Sequence, residues 1–81
     1  MEVKLSIKER ILLFLHSLGA VSSERAREVD EIARYLQLNR EEAKEALMYN
    51  ARQGYVESSQ GGGDRYYLSA KGVLKVCSVY T

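Results

Sequence analysis

Four basic residues have the chemistry to contact phosphate groups, and they fall in the segment 40–52 and directly after a run of three glycines. They are Arg40, Lys44, Arg52 and Arg65. Arginine and lysine side chains bind phosphate oxygens, and both can also reach the edges of bases. Their spread predicts one contact surface that runs from a helix to a loop beyond it. For each residue taken singly, an ordinary solvated charge is the alternative.

The same segment carries acidic and apolar residues that qualify this interpretation. A rotation of 100° per residue places Glu41, Glu45, Met48 and Arg52 on one face of a helix, opposite its apolar face. Carboxylates repel phosphates, although one can accept a hydrogen bond from N4 of cytosine. Glu41 can instead pair with Lys44, three residues along the helix, for about 0.2–0.5 kcal/mol. The face therefore suits non-specific DNA binding poorly, and a protein partner is an alternative.

Residues typical of catalysis or metal binding are few. His16 is the only histidine and Cys77 the only cysteine, whereas a general base or a metal site needs several groups at set spacings. The glycine run 61–63 lacks the Gly-Lys-Ser/Thr ending of a phosphate-binding loop. The sequence thus predicts no enzyme, no metal, no cofactor and no small-molecule ligand. Cys77 is interpreted as a small apolar residue or as one half of an intersubunit disulfide.

Length and charge limit what the chain can be. With 81 residues and 9.2 kDa, residues 1–81 are expected to form a single domain. The formal charge of +1 means that any basic patch must be local. The longest apolar run, ILLFL at 11–15, is too short to span a bilayer and has no signal-peptide cleavage site. We therefore expect a cytoplasmic protein without a membrane partner.

Three helices are predicted before residue 54. Ser6 and Glu9 form a capping-box spacing that begins the first, at about 6–18, and Gly19 supplies a left-handed stop. A loop ending in a short strand near residue 29 leads to the second helix, about 31–37, for which Asp30 is the expected N-cap. Asn39 caps the third, about 40–53, which Gly54 ends. Its inward residues are expected to be Ala43, Ala46, Leu47 and Ala51.

A hairpin and a last helix complete the predicted elements. The tyrosine-rich runs on either side of QGGG favour strands, so residues about 55–69 are expected to pair across a glycine turn. Tyr66 and Leu68 should point inward, with Arg65 and Tyr67 outward. Ser69 can cap a helix at about 70–80, although Gly72 weakens it by about 1 kcal/mol relative to alanine.

This order, together with two segments, resembles the winged helix-turn-helix domain of prokaryotic and archaeal transcription regulators. The segments are VDEIARYLQLNREEAKEALMYNARQGYVES at 29–58 and DRYYLSAKG at 64–72, and the resemblance covers about residues 6–75. Val29 matches the apolar residue before the second helix, and Gly54 to Val56 match the passage into the wing. Asn50 departs from the pattern where leucine is usual. We interpret it as structural, bonded to a nearby loop backbone, with a ligand contact as the alternative.

The resemblance implies an α+β, mainly α fold with a three-helix core, a two-stranded β-wing and an added C-terminal helix. It also implies sequence-specific binding of double-stranded DNA, with the third helix in the major groove and the wing on the minor groove or backbone. A winged-helix protein-interaction module is the alternative. The implied DNA contacts are Arg40, Glu41, Lys44, Glu45, Met48, Arg52, Arg65 and Tyr67. A homodimer is expected through Phe14, Leu18, Val73, Val76, Cys77 and Tyr80.

Overall fold

Four α-helices and a small antiparallel sheet make up the protein in a computed structural model, which describes residues 5–59 and 64–79 and, for Val79, only the backbone. This confirms the α+β, mainly α fold class. The predicted glycine turn and Tyr80 lie outside the described residues. The elements in chain order are α1 (Ile7–Ser17), a short 3₁₀ turn (Ser23–Arg25), β1 (Arg27–Glu28), α2 (Val29–Leu36), α3 (Arg40–Arg52), β2 (Val56–Ser58), β3 (Arg65–Leu68) and α4 (Ala70–Val79).

Side-chain hydrogen bonds cap the first turns of α1, α3 and α4 at the residues that the sequence predicted. At α1 the Ser6 hydroxyl accepts from the backbone N–H of Glu9, whose carboxylate accepts from the N–H of Ser6. Asn39 and Glu42 form the same reciprocal box at α3. Ser69 caps α4, because its Oγ accepts from the N–H of Gly72 at 3.0 Å. Each box satisfies two backbone donors that the first helical turn leaves free.

The beginning of α2 was predicted wrongly. The helix begins at Val29 with Glu28 as N-cap, and no side chain makes the capping hydrogen bond that was expected from Asp30. The reason is the sheet: Arg27 and Glu28 pair with β3, and the N–H of Val29 donates to the carbonyl of Asp64 at 2.9 Å. The extended chain therefore ends at residue 28, and helical geometry starts immediately after it.

Strand β3 is the centre of a three-stranded antiparallel sheet with the order β1-β3-β2. The hairpin pairs Val56 with Leu68 and Ser58 with Tyr66, as the strand propensities suggested. On its other edge β3 pairs with β1, which places Glu28 opposite Arg65. The sheet thus has one strand more than the predicted hairpin, because the short strand before α2 joins it.

The core lies where α1, α3 and α4 meet the sheet, and it is filled by aliphatic side chains. Leu68 on β3 and Tyr66 beside it are buried at 1% and 8% exposed, as the alternation predicted. Ala51 was expected inward, but it is exposed, because Asn50 occupies the last buried position of α3. The largest fully buried apolar side chains are Ile11, Leu12, Leu15, Val29, Ile32, Leu47, Val56, Leu68 and Val76.

Asn50 ties α3 to α1. Its side chain is 1% exposed, and Nδ2 donates to the backbone carbonyl of Lys8 at 3.2 Å. The interpretation of Asn50 as a structural residue with a backbone partner is confirmed, although that partner lies in the first turn of α1 and not in a loop. A leucine at this position would leave that contact between the two helices unmade.

Gly72 lets α4 lie directly on the backbone that connects α3 to β2. A Cβ added at this position would stand 2.0 Å from the carbonyl oxygen of Tyr55 and 2.9 Å from a methyl of Leu68. The carbonyl belongs to the main chain, so it cannot rotate away as a flexible side chain would. The close approach explains why a residue of low helix propensity stands in the first turns of α4.

Replacing Gly72 with alanine should therefore destabilise the protein, even though alanine favours a helix by about 1 kcal/mol. Overpacking of this kind costs about 1–3 kcal/mol or more, and we expect a net loss of unfolding free energy. Urea unfolding followed by circular dichroism measures it. Ala51→Gly, at an exposed position of α3, is the control, because it measures the effect of helix propensity alone. An alanine variant more stable than the parent would contradict the close contact.

Candidate nucleic-acid interface

The outer face of α3 is exposed along the helix. We use "α3 outer face" for Glu41, Glu45, Met48 and Arg52, all four of which are exposed as the 100° rotation predicted. The apolar positions of α3 pack against α1 and α2, and this packing turns the remaining face away from the core. Together with Arg40 and Lys44, these residues line a shallow groove of about 490 Å³.

A network of charges joins the first turn of α3 to the start of β3. Arg40 donates to the carboxylates of Asp30 and Asp64 through separate guanidinium nitrogens. Lys44 Nζ lies 2.7 Å from the second oxygen of Asp64. Asp64 thus stands between two cations that were predicted to contact DNA. The network brings Asp64, the neighbour of Arg65 in the chain, to the first turns of α3, where both cations have carboxylate partners.

The network shifts the pKa values of Asp64, Arg40 and Lys44 so that their charged forms are favoured. The hydrogen bond from Lys44, followed by the charges of Lys44 and Arg40, lowers the pKa of Asp64. The hydrogen bond to Asp30 raises the pKa of Arg40. The hydrogen bond to Asp64, with a smaller contribution from Tyr66, raises that of Lys44. Since the side chain of Asp64 is 41% exposed, solvent screens these pairs and each contributes little to stability.

The two predicted contacts on β3 also have neighbours of opposite charge. Arg65 is exposed, and its guanidinium lies 3.0 Å from the carboxylate of Glu28, its cross-strand partner. Tyr67 is half-buried opposite Glu57. Desolvation and, less strongly, the Glu57 carboxylate raise the pKa of Tyr67. The structure thus places Arg65 outward as the strand pattern predicted, whereas Tyr67 on the central strand is half-buried.

Sequence reasoning missed the acidic half of this surface. Asp30, Asp64 and Glu28 provide the partners of Arg40, Lys44 and Arg65, and none was a candidate site residue. The one available signal was the adjacency of Asp64 and Arg65 after the glycine run. Arg27, on β1, is less available for a contact with DNA. It pairs with Glu31 at 3.2 Å, and its Nε is buried without a partner among the described residues.

The residues expected to form a dimer interface divide into three groups. Phe14 and Val76 are 7% and 0% exposed in the core of a single chain, so they have little surface for a partner. Leu18 and Val73 are half-buried against that core. Cys77 is exposed on α4. Periodicity alone could not separate these groups, because the same apolar spacing serves the chain's own core.

Chemistry beyond binding finds little support in the described ranges 5–59 and 64–79. His16 is exposed, and within those ranges no group of three His, Cys, Asp or Glu side chains is placed to hold a metal ion. No helix in the described part of the chain has the length and apolar character to cross a membrane.

Comparisons with models of known protein families, with curated proteins and with solved structures find no match to this chain.

The charge network predicts how stability depends on pH. Because the folded-state pKa of Asp64 lies below its ordinary value of 3.8, its contribution is present above that value and is lost as the pH falls through the folded pKa. Asp64→Asn should therefore be less stable than the parent at neutral pH, and the two should converge as the pH falls below the folded pKa of Asp64. Urea unfolding across this range measures the difference.

Glu41→Gln is the matched control for this titration. Glu41 is exposed and makes no ion pair with any described residue, so its variant should follow the pH dependence of the parent. A constant stability difference between Asp64→Asn and the parent from neutral to acid pH would show that the carboxylate charge contributes nothing.

Proposed function

We propose that this chain is a winged-helix domain that binds double-stranded DNA as a transcription regulator. In this proposal α3 lies in the major groove and the hairpin β2–β3 lies against the minor groove or the adjacent backbone. The observation that carries it is the α3 outer face, which stays exposed while Ala43, Ala46, Leu47 and Asn50 of the same helix are buried. An α-helix presented in this way fits a groove about 12 Å wide.

The arrangement of the elements supports the winged-helix assignment. Helices α2 and α3 are separated by three residues, of which Gln37 takes a left-handed conformation at φ 59°. A turn this short forces the second helix to cross the first, as in helix-turn-helix proteins. The Asp64 carboxylate, directly before β3, bonds to Arg40 and Lys44, so the start of β3 lies beside the first turns of α3. This supports contact of helix and hairpin with one duplex.

The ion pairs do not prevent phosphate binding, although they weaken its driving force. Helix α3 carries three basic and three acidic side chains, so it has no net charge to attract DNA from a distance. The pairs of Arg40 and Lys44 are exposed, and exposed pairs contribute at most about 1 kcal/mol. A phosphate can therefore take the place of the Asp64 carboxylate. Binding should depend strongly on fit and base contacts, since electrostatic attraction is small.

The proposal predicts that Arg52→Ala and Arg65→Ala weaken duplex binding. Each removed phosphate contact should reduce the slope of log K against log salt by about 0.9. Fluorescence anisotropy with duplexes selected from a random pool at low salt measures both quantities. Lys75→Ala, a cation on α4, is the matched control and should bind as the parent does. No binding by the parent to any pool member at low salt would remove the DNA proposal.

A protein-interaction module is the second candidate, favoured by one observation. With Arg40 and Lys44 paired to carboxylates, the α3 outer face offers two glutamates, one arginine and a methionine that is 43% exposed. It is a mixed acidic and apolar surface and not a continuous positive strip, which would suit a partner with complementary basic and apolar groups. The duplex titration separates the candidates, because a protein-interaction module would show no salt-dependent DNA affinity.

We further propose that the regulator is a homodimer that pairs through the exposed side of α4. Leu74 is 70% exposed and Cys77 is exposed three residues later, so the two share one helix face. A two-fold axis would set one copy of this face against the other and would bring the two cysteines near each other. Such symmetry matches the pseudo-palindromic sites that dimeric helix-turn-helix proteins bind.

Leu74→Glu should convert this dimer to a monomer, because it places a charge in an apolar contact. Sedimentation at micromolar concentration should give twice the 9.2 kDa of one chain for the parent and 9.2 kDa for the variant. Ala51→Glu, the same charge at an exposed position of α3, should leave the parent's mass unchanged. A parent chain that sediments at 9.2 kDa would exclude the dimer.

A further inference from the structure

A second concave surface lies where the first turn of α1, the last turn of α3 and helix α4 meet. It is an open groove of about 340 Å³, and none of its lining residues belongs to the α3 outer face. Its walls combine positive charge, aromatic rings and one buried amide. The residues that matter for its chemistry are Lys8, Glu9, Tyr49, Asn50, Tyr55 and Lys75.

Asn50 offers this groove an acceptor without a donor. Its Nδ2 is held by the carbonyl of Lys8, and because a carbonyl only accepts, this contact fixes which end of the amide is nitrogen. Oδ1 receives no hydrogen bond from any residue in the ranges 5–59 and 64–79, although the side chain is 1% exposed. Among the buried side-chain atoms of the described residues only Arg27 Nε lacks a partner, so solvent reaches Oδ1 from the groove. The groove that Asn50 lines is where such a donor can enter.

Two cations stand beside this acceptor without a carboxylate partner among the described residues. The ammonium of Lys8 lies 3.9 Å from the centroid of the Tyr49 ring, and that of Lys75 lies 6.0 Å from the Tyr55 ring. The carboxylate of Glu9 also lines the groove, and its Oε1 accepts from the N–H and the hydroxyl of Ser6. The groove therefore has two cations against one carboxylate, two aromatic rings and one free acceptor.

We propose that this groove binds a small planar anion that also carries an N–H donor. The anionic group lies near Lys8 and Lys75, the N–H donates to Asn50 Oδ1, and the flat ring contacts the tyrosines. An anion without an N–H cannot donate to Asn50 Oδ1, and a neutral donor has no charge for the two lysines to bind. This inference is independent of the DNA proposal, because the groove and the α3 outer face share no residue.

Three probes that differ by one group test the proposal on the full chain. Orotate carries both a carboxylate and ring N–H donors, uracil lacks the carboxylate, and benzoate lacks the donor. Titration of ¹⁵N-labelled protein should show saturable shifts with orotate, including the side-chain amide of Asn50. Uracil and benzoate should bind about tenfold more weakly or not at all, because uracil loses the contact with the lysines and benzoate loses the hydrogen bond to Asn50.

A pair of lysine variants locates the binding. Lys75→Gln should weaken orotate about tenfold, whereas Lys71→Gln should bind as the parent does. Lys71 is a fair control because its ammonium lies 5.5 Å from the same Tyr55 ring without lining the groove. Both changes are on the surface of α4, and thermal melting verifies that each variant folds.

Each alternative result overturns the proposal. Equal binding of benzoate and orotate would reduce the groove to a general anion contact, and equal weakening by both lysine variants would place the anion outside it. If orotate causes no saturable shifts up to about 10 mM, the groove does not bind it, because binding of even about 3 kcal/mol is detectable at that concentration. Asn50 would then have a structural role only.

Discussion

The pairing of β3 with strands on both of its edges is the constraint on which the rest of the structure depends. On one side β3 holds the hairpin strand β2, and on the other it holds β1, the two residues that lead into α2. The carbonyl of Asp64 then accepts from the N–H of Val29, the first residue of α2. The N–H of Leu68 donates to the carbonyl of Ala20, in the segment that follows α1. One strand thus fixes the relative positions of the first two helices and the hairpin.

This arrangement explains why opposite charges collect on the face proposed to bind DNA. Once β3 runs past the start of α2 and α3, Asp64 must lie beside Arg40 and Lys44, and Arg65 must lie opposite Glu28. The exposed pairs add little to stability, but they remove the excess positive charge that attracts DNA from a distance. A binding surface of this kind depends on shape and specific contacts more than on long-range attraction.

The two concave surfaces of the molecule differ in a way that bears on function. The α3 outer face is open and carries two glutamates against one arginine. Among the described residues, the groove at Asn50 instead has two lysines without a carboxylate partner and an acceptor without a donor. Asn50 links the two surfaces, because its side chain holds α3 against α1 and also lines the groove. The position of α3 and the chemistry of the groove therefore depend on one buried amide.

The sequence by itself determined the helices, their capping residues and the alternation in β3. Those features rest on hydrogen bonds and side-chain spacings within about four residues, so Ser6, Asn39 and Ser69 could be recognised locally. The beginning of α2, the third strand of the sheet and the partners of Arg40 could not. They depend on packing between distant parts of the chain, since Arg40 and Asp64 are 24 residues apart. Only the tertiary structure showed that Gly72 is required by a carbonyl it nearly touches, and that Phe14 and Val76 serve the chain's own core.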